Sequence, residues 1–262
     1  MEKQNSGNAT SLQIKDLCMS FGGIQALDGV SFSVSPGTIH GIIGPNGAGK
    51  TTLINCISGQ FTPSGSIRYG DHELTRLRAH ERIGLGIART FQHINIYGEL
   101  SVLDNVKIGG HHRLQSRWLH QCLYWGPFGC SREETRLHNE AMVLLETLDM
   151  EDVAELPAGE LSYGQQKRLE IGRALLGQPS LLLLDEPMAG MSRQEKNNLS
   201  EWIRQISREL SVTILMIEHD MSVIQALTEQ VVVLDFGRKI AEGTPREVVQ
   251  DQRVRIAYLG EE

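Results

Sequence analysis

The sequence predicts an α/β protein. A mostly parallel core sheet is preceded by an antiparallel β subdomain and interrupted by a helical insertion. Three observations carry this reading. Short alternating apolar segments run from Leu12 to Gly41. From about Leu100 to Leu176 apolar residues recur at helical spacing. Compact β-rich runs then resume at Leu181–Leu184, Val212–Ile217 and Val231–Leu234. The 262 residues, 40% hydrophobic and 22% charged, suit a globular chain with a sizeable core. The expected organisation is one domain over 1–262. Its core and β subdomain span 12–92 and 179–262, and its helical insertion spans 93–178.

Each element has a local reason. Leu12 and Ile14 alternate with polar neighbours, as do Val30, Phe32 and Val34, and Ser35-Pro36-Gly37 reads as a turn. Antiparallel strands therefore open the chain. Ile39–Ile43 is an apolar strand that runs into the glycine-rich loop Gly44–Gly49. Leu53, Ile54 and Ile57 mark the buried side of the helix expected next. Ile67–Tyr69 followed by Gly70-Asp71 reads as a further strand and turn. In the insertion, Met142, Leu144, Leu145 and Leu148 keep helical spacing, as do Leu169, Gly172 and Leu176, and Pro179 closes the stretch. The chain between Leu184 and Val212 has the length of a right-handed βαβ crossover. No internal repeat is visible.

Composition narrows the function classes. With 25 basic and 32 acidic residues the formal charge is −7, which argues against a broad basic face and a nucleic-acid partner. No run approaches the roughly 18 apolar residues needed to span a bilayer. The polar start, Met1–Ser11, lacks the apolar stretch of a signal peptide, so neither membrane integration nor export is expected. Cys18, Cys56, Cys122 and Cys130 form no C-x-x-C pair and read as reduced thiols. Residues 111–130 hold His111, His112, His120, Trp118 and Trp125, at spacings that match no standard metal-ligand pattern. They read as a surface excursion that packs on a partner.

Three motifs carry chemistry. Gly44-Pro45-Asn46-Gly47-Ala48-Gly49-Lys50-Thr51, followed by Thr52, matches G-x-x-x-x-G-K-[ST] between a strand and a helix. Glycines let backbone N–H groups turn inward around phosphate oxygens, and the helix start adds partial positive charge. Lys50 is positioned for the β- and γ-phosphates of ATP and the Thr51 hydroxyl for Mg²⁺. Leu181–Leu184 ends in Asp185 and Glu186: the first suits Mg²⁺, the second a general base on water. Leu161-Ser162-Tyr163-Gly164-Gln165 is a capping box, with Ser162 at the N-cap and Gln165 three residues on. The same helix start is also a second anion site.

A phosphate loop, then L-S-x-G-Q, then L-L-L-D-E-P, in that order, resembles the ATPase subunit of ABC transporters. The likeness runs from about Leu12 to Leu259. It implies a P-loop NTPase core of RecA-like type and a head-to-tail dimer. Ser162, Gly164 and Gln165 of one chain would close over ATP held at Lys50 of the other. It places Phe21 on the adenine, Gln92 as the Mg²⁺-sensing loop glutamine, and His219 against the γ-phosphate. In this reading Glu186, His219 and Gln92 are catalytic, and Thr51, Gln92 and Asp185 hold the metal. One departure is Ser192, where many relatives carry Asp. Asp235-Phe236-Gly237 invites a kinase reading, but the rest of a kinase set is missing and the stretch reads as a hairpin turn.

Narrower stretches are similar to importers of branched-chain amino acids: Phe21–Leu27, Gly86–Gln92, Glu99–Val106 and Tyr258–Glu261. Glu186–Met191 also resembles the urea and short-amide branch, the alternative cargo. A soluble ABC ATPase of repair or translation usually carries two cassettes or long coiled coils. A non-catalytic nucleotide-binding module would be expected to lack Lys50, Glu186 or His219. The resemblance implies partners as well: a second cassette (the same chain or a paralogue), membrane permease subunits and, indirectly, an extracytoplasmic binding protein. The chain would lie peripherally on the cytoplasmic face of the membrane. Segment 93–130 is the candidate permease-docking surface, on account of Tyr97, Trp118 and Trp125.

Overall fold

A computed structural model describes residues 10–91, 94–113 and 130–259. Strands β1 (Leu12–Phe21) and β2 (Ile24–Val34) pair antiparallel, with β4 (Ser64–Tyr69) on the other side of β1 and β5 (His72–Glu73) beyond it. The order is β2-β1-β4-β5. The second sheet holds β3 (Ile39–Ile43), β6 (Ile87–Arg89), β7 (Leu181–Asp185), β8 (Thr213–Ile217), β9 (Gln230–Asp235) and β10 (Arg238–Gly243). Its order is β10-β9-β3-β8-β7-β6, parallel except for the antiparallel edge strand β10.

The near-continuous apolar strands follow from this layering. A parallel sheet covered on both faces cannot tolerate alternation with polar residues, and β3, β7 and β8 are buried at every position. Leu181, Leu183, Leu215 and Ile217 pack toward the antiparallel sheet and α1 (Lys50–Ser58), together with Leu53, Ile54 and Ile57. Leu182, Leu184, Ile214 and Met216 face the opposite way. They meet α3 (Val102–Gly109), α4 (Cys130–Thr147), α5 (Tyr163–Leu176) and α6 (Arg193–Glu209). Each such side chain contributes about 1.5–3 kcal/mol on burial. A third cluster joins Ile43 and Val233 to Ile224 of α7 (Met221–Leu227), Val248 of α8 (Pro245–Gln250) and Val254 of α9 (Gln252–Leu259).

Among the elements unread in the sequence are the three-residue β6 and the helix α2 (Ala79–Gly84). Neither is long enough to show a period. The capping boxes are as the sequence pattern requires. Ser162 accepts from the Gln165 N–H at 3.4 Å, and the Gln165 side chain returns to the Ser162 N–H at 3.0 Å. Ser192 does the same for α6 with Glu195, so it fills the N-cap role an Asp would serve there. Phe236 and Gly237, both at positive φ, turn β9 into β10, as a hairpin requires. Among the described residues no helix is long and apolar enough to cross a membrane.

Candidate nucleotide site

The site forms where β3, β7 and β8 end together at the carboxyl edge of the parallel sheet, the usual ligand edge of such sheets. The loop from Gly44 to Gly49 leaves β3 at positive φ at Gly44, Gly47 and Gly49. At Gly44 a Cβ would lie 2.1 Å from the Leu234 carbonyl, so only glycine fits between β3 and β9. Lys50 is buried at the first turn of α1, and its Nζ donates to the carbonyls of Gly44 at 2.7 Å and Pro45 at 2.8 Å. Burial draws the Lys50 pKa down, and the neighbouring Glu186 and Asp185 carboxylates oppose that fall. Thr51 is exposed beside it, and its hydroxyl makes no hydrogen bond among the described residues. Pro45, Asn46, Ala48 and Thr52 complete the loop and the helix start.

β7 delivers Asp185 and Glu186 to this edge. Asp185 is 1% exposed. Its Oδ2 accepts from Arg89 Nη2 at 3.0 Å, while Oδ1 has no partner. Burial pushes the Asp185 pKa up, and the Arg89 guanidinium holds it back. The unpartnered buried Asp185 oxygen and the hydroxyl of Thr51, which follows the Lys50 that feels the Asp185 charge, are oxygen donors of the kind a hard divalent cation takes. Glu186 follows with φ 50, a left-handed backbone that a non-glycine residue adopts at a cost of about 1–3 kcal/mol. The turn directs its carboxylate to His219, with Oε1 and Nε2 2.6 Å apart. Glu218, also buried, accepts from the Met188 N–H at 2.9 Å and the His219 N–H at 3.2 Å. It thereby ties the segment after Glu186 to the segment carrying His219.

The other predicted residues lie apart. Phe21 ends β1, 41% exposed, with its ring edge-on to Phe61 at 5.0 Å between centroids. It is no core residue. Ser162, Gly164 and Gln165 line a separate cleft of about 290 Å³ with Arg168, Met191 and Glu195. No residue of the phosphate loop lines that cleft. Gln92 lies outside the described residues, as do 114–129, with Trp118, His120 and Trp125. Tyr97 is exposed. Sequence reasoning gave no role to Arg89 and Glu218. Arg89 stands inside the stretch Gly86–Gln92 and Glu218 directly before His219, and what singles them out is a buried bond to a distant segment.

The profile of the ABC transporter family matches residues 27–189. A second profile, branched-chain amino acid ATP-binding cassette transporter, matches 238–262. The chain is 37% identical over 251 residues to the high-affinity branched-chain amino acid transport ATP-binding protein BraF of Pseudomonas aeruginosa, covering 95% of this chain and 98% of that one. It is 36% identical, with the same coverage, to the corresponding protein LivG of Escherichia coli. A crystal structure of the ADP conformation of MJ1267, an ATP-binding cassette of an ABC transporter, superposes with a TM-score of 0.83. Its sequence identity is 33%, covering 96% of this chain and 99% of that one. The cassette of an ATP hydrolase, complete in its phosphate loop, paired carboxylates and signature helix, thus has relatives along nearly its full length, and the chain is an ABC transporter ATP-binding subunit.

Proposed function

We propose that this subunit hydrolyses ATP to drive an importer of branched-chain amino acids, working as one of two cassettes beneath membrane permease subunits. The observation that carries the reading is the Glu186–His219 pair beside Asp185 and Lys50, in a chain matched over 95% of its length by branched-chain amino-acid transport proteins. ATP would lie on the loop from Gly44 to Thr52, its phosphates met by backbone N–H groups and its adenine by Phe21. Lys50 would release the two loop carbonyls and turn to the β- and γ-phosphates. Thr51, Asp185 and Gln92 would hold Mg²⁺, which supplies charge neutralisation to the phosphates when bound. Glu186 would take the proton of the attacking water, with His219 holding the carboxylate and reaching the γ-phosphate. Ser162, Gly164 and Gln165 of the second cassette would close the site, since their cleft lies apart from this chain's own phosphate loop.

The permease contact is proposed at a groove of about 480 Å³, lined by Ile83, Phe91, Ile108, His111, His112 and Arg173 among others. Its lining takes in Arg89 and Phe91, just ahead of Gln92 in the chain, and Ile108, His111 and His112 from segment 93–130, so a cytoplasmic permease loop seated there would reach the site through Arg89 and its bond to Asp185. This arrangement puts the chain peripherally at the cytoplasmic face. The test is reconstitution in liposomes with a candidate permease pair and its receptor. Leucine, isoleucine or valine bound to the receptor should stimulate ATP hydrolysis and be taken up. Stimulation by urea or a short amide, and by none of the three amino acids, would reject the cargo assignment.

A further inference from the structure

Arg89 closes β6 just ahead of Gln92, and its side chain is 9% exposed. Its guanidinium is divided between two elements. Nη2 donates to Asp185 Oδ2 at 3.0 Å, whereas Nη1 donates to Asn55 Oδ1 at 2.5 Å and Ser58 Oγ at 3.0 Å, both on α1. Nε reaches the Thr90 carbonyl at 3.3 Å, and the Phe91 ring centroid lies 5.1 Å from Cζ. Every arm of the fork is engaged, so the group has one orientation. The consequence falls on Asp185. A carboxylate turns readily about its last bond, in a broad two-fold well. Binding one oxygen to a fixed guanidinium removes that freedom and leaves Oδ1 as the unpartnered atom.

We propose that Arg89 is a positioning residue for the metal site: it locks the Asp185 carboxylate with Oδ1 free for a divalent cation, and it couples that orientation to α1 and to Thr90 and Phe91. The proposal rests on Asp185 being a metal ligand. Arginine is suited to the task because its planar fork holds two partners at fixed angles, which a lysine ammonium cannot do. The pair is buried, so removing the guanidinium leaves an uncompensated carboxylate rather than a merely weaker contact. Arg89 also lines the 480 Å³ groove with Ser58 and Phe91. A body entering that groove and displacing Arg89 would disturb the Asp185 carboxylate directly, giving a path from groove to metal site through one side chain.

The test uses Mn²⁺ as probe ion, with the full chain and ADP, and reads bound Mn²⁺ by electron paramagnetic resonance rather than by turnover. Arg89→Leu should lower Mn²⁺ affinity roughly 10- to 100-fold, the usual effect of losing an outer-shell partner of a metal ligand. ADP affinity in EDTA should hold, because Arg89 makes no contact with the phosphate loop. Arg89→Lys should recover part of the loss, since an ammonium can meet Asp185 but not span to Asn55 and Ser58. Wild-type Mn²⁺ affinity in Arg89→Leu, with the affinity lost in Asp185→Asn, would overturn the role of Arg89 and leave the metal reading standing. Wild-type affinity in Asp185→Asn would remove the metal reading and the proposal with it. Should Arg89→Leu fail to fold, the double variant Asn55→Ala, Ser58→Ala frees the far end of the guanidinium. It should lose affinity in the same direction, and an unchanged affinity would refute the lock.

Discussion

Acidification should destabilise this fold through His40, by an amount that follows from where the imidazole sits. His40 lies within β3 opposite Gln230 and Leu215, 3% exposed, and neither ring nitrogen has a hydrogen-bond partner. Burial lowers its pKa from 6.5 to about 4, against a smaller opposing pull from Glu242. The unfolded chain therefore binds the proton more readily than the folded one between these values. Stability is fully present above pH 6.5, declines as pH falls, and is lost to its full extent below about pH 4. At about 1.4 kcal/mol per pKa unit the depression amounts to about 3 kcal/mol, a large share of a typical domain's stability. The assay is urea denaturation of the wild type and His40→Leu from pH 7 to pH 4. Leucine is apolar and of similar volume, so it keeps the packing and removes the titrating group. The variant should be at least as stable at neutral pH, because a buried orphan polar group costs about 1–3 kcal/mol. Its advantage should then widen by about 3 kcal/mol on acidification. A gap that stays constant with pH would refute the argument.

Glu186→Gln keeps size and hydrogen bonding but removes the base, so hydrolysis should fall roughly 10²–10⁴-fold. ATP should remain bound and dimers should accumulate with ATP but not ADP, by light scattering. Adding Ser162→Arg should abolish those dimers, and a dimer indifferent to nucleotide would reject the sandwich. Should the partner cassette be a paralogue, the same measurements apply to the mixed pair. Lys50→Ala should abolish turnover, and undiminished hydrolysis in a clean preparation would reject the phosphate-loop assignment. Gly44→Ala should eliminate ATP binding, because its Cβ would press on the Leu234 carbonyl, a backbone atom of β9 that cannot yield. Gly47→Ala meets nothing within 4 Å and bears only the left-handed penalty of about 1–2 kcal/mol, which falls on folding stability, so its ATP affinity should stay close to wild type. Equal losses in the two glycine variants, by titration with a fluorescent ATP analogue, would refute the distinction.

Sequence and tertiary structure each decided different things here, for a physical reason. Local constraints write themselves into local residues. A loop that wraps phosphate needs glycines at Gly44, Gly47 and Gly49. A strand covered on both faces must be apolar, as Leu181–Leu184 are. A helix start needs a cap such as Ser162 or Ser192 with its Glu or Gln three residues on. Those features made the fold class, the phosphate loop, the paired carboxylates and the signature helix legible from residue order alone. Contacts between distant segments leave no such trace. Nothing about Arg89 in sequence reveals that it grips Asp185 and α1, because the meeting depends on β6 lying beside β7 at the sheet edge. The same holds for Glu218 spanning the Met188 and His219 backbones, and for the Glu186 and His219 side chains meeting at 2.6 Å. His40 is the plainest case. The sequence offers a histidine in an apolar strand, and only its burial in β3 between β8 and β9 leaves both of its nitrogens without a partner.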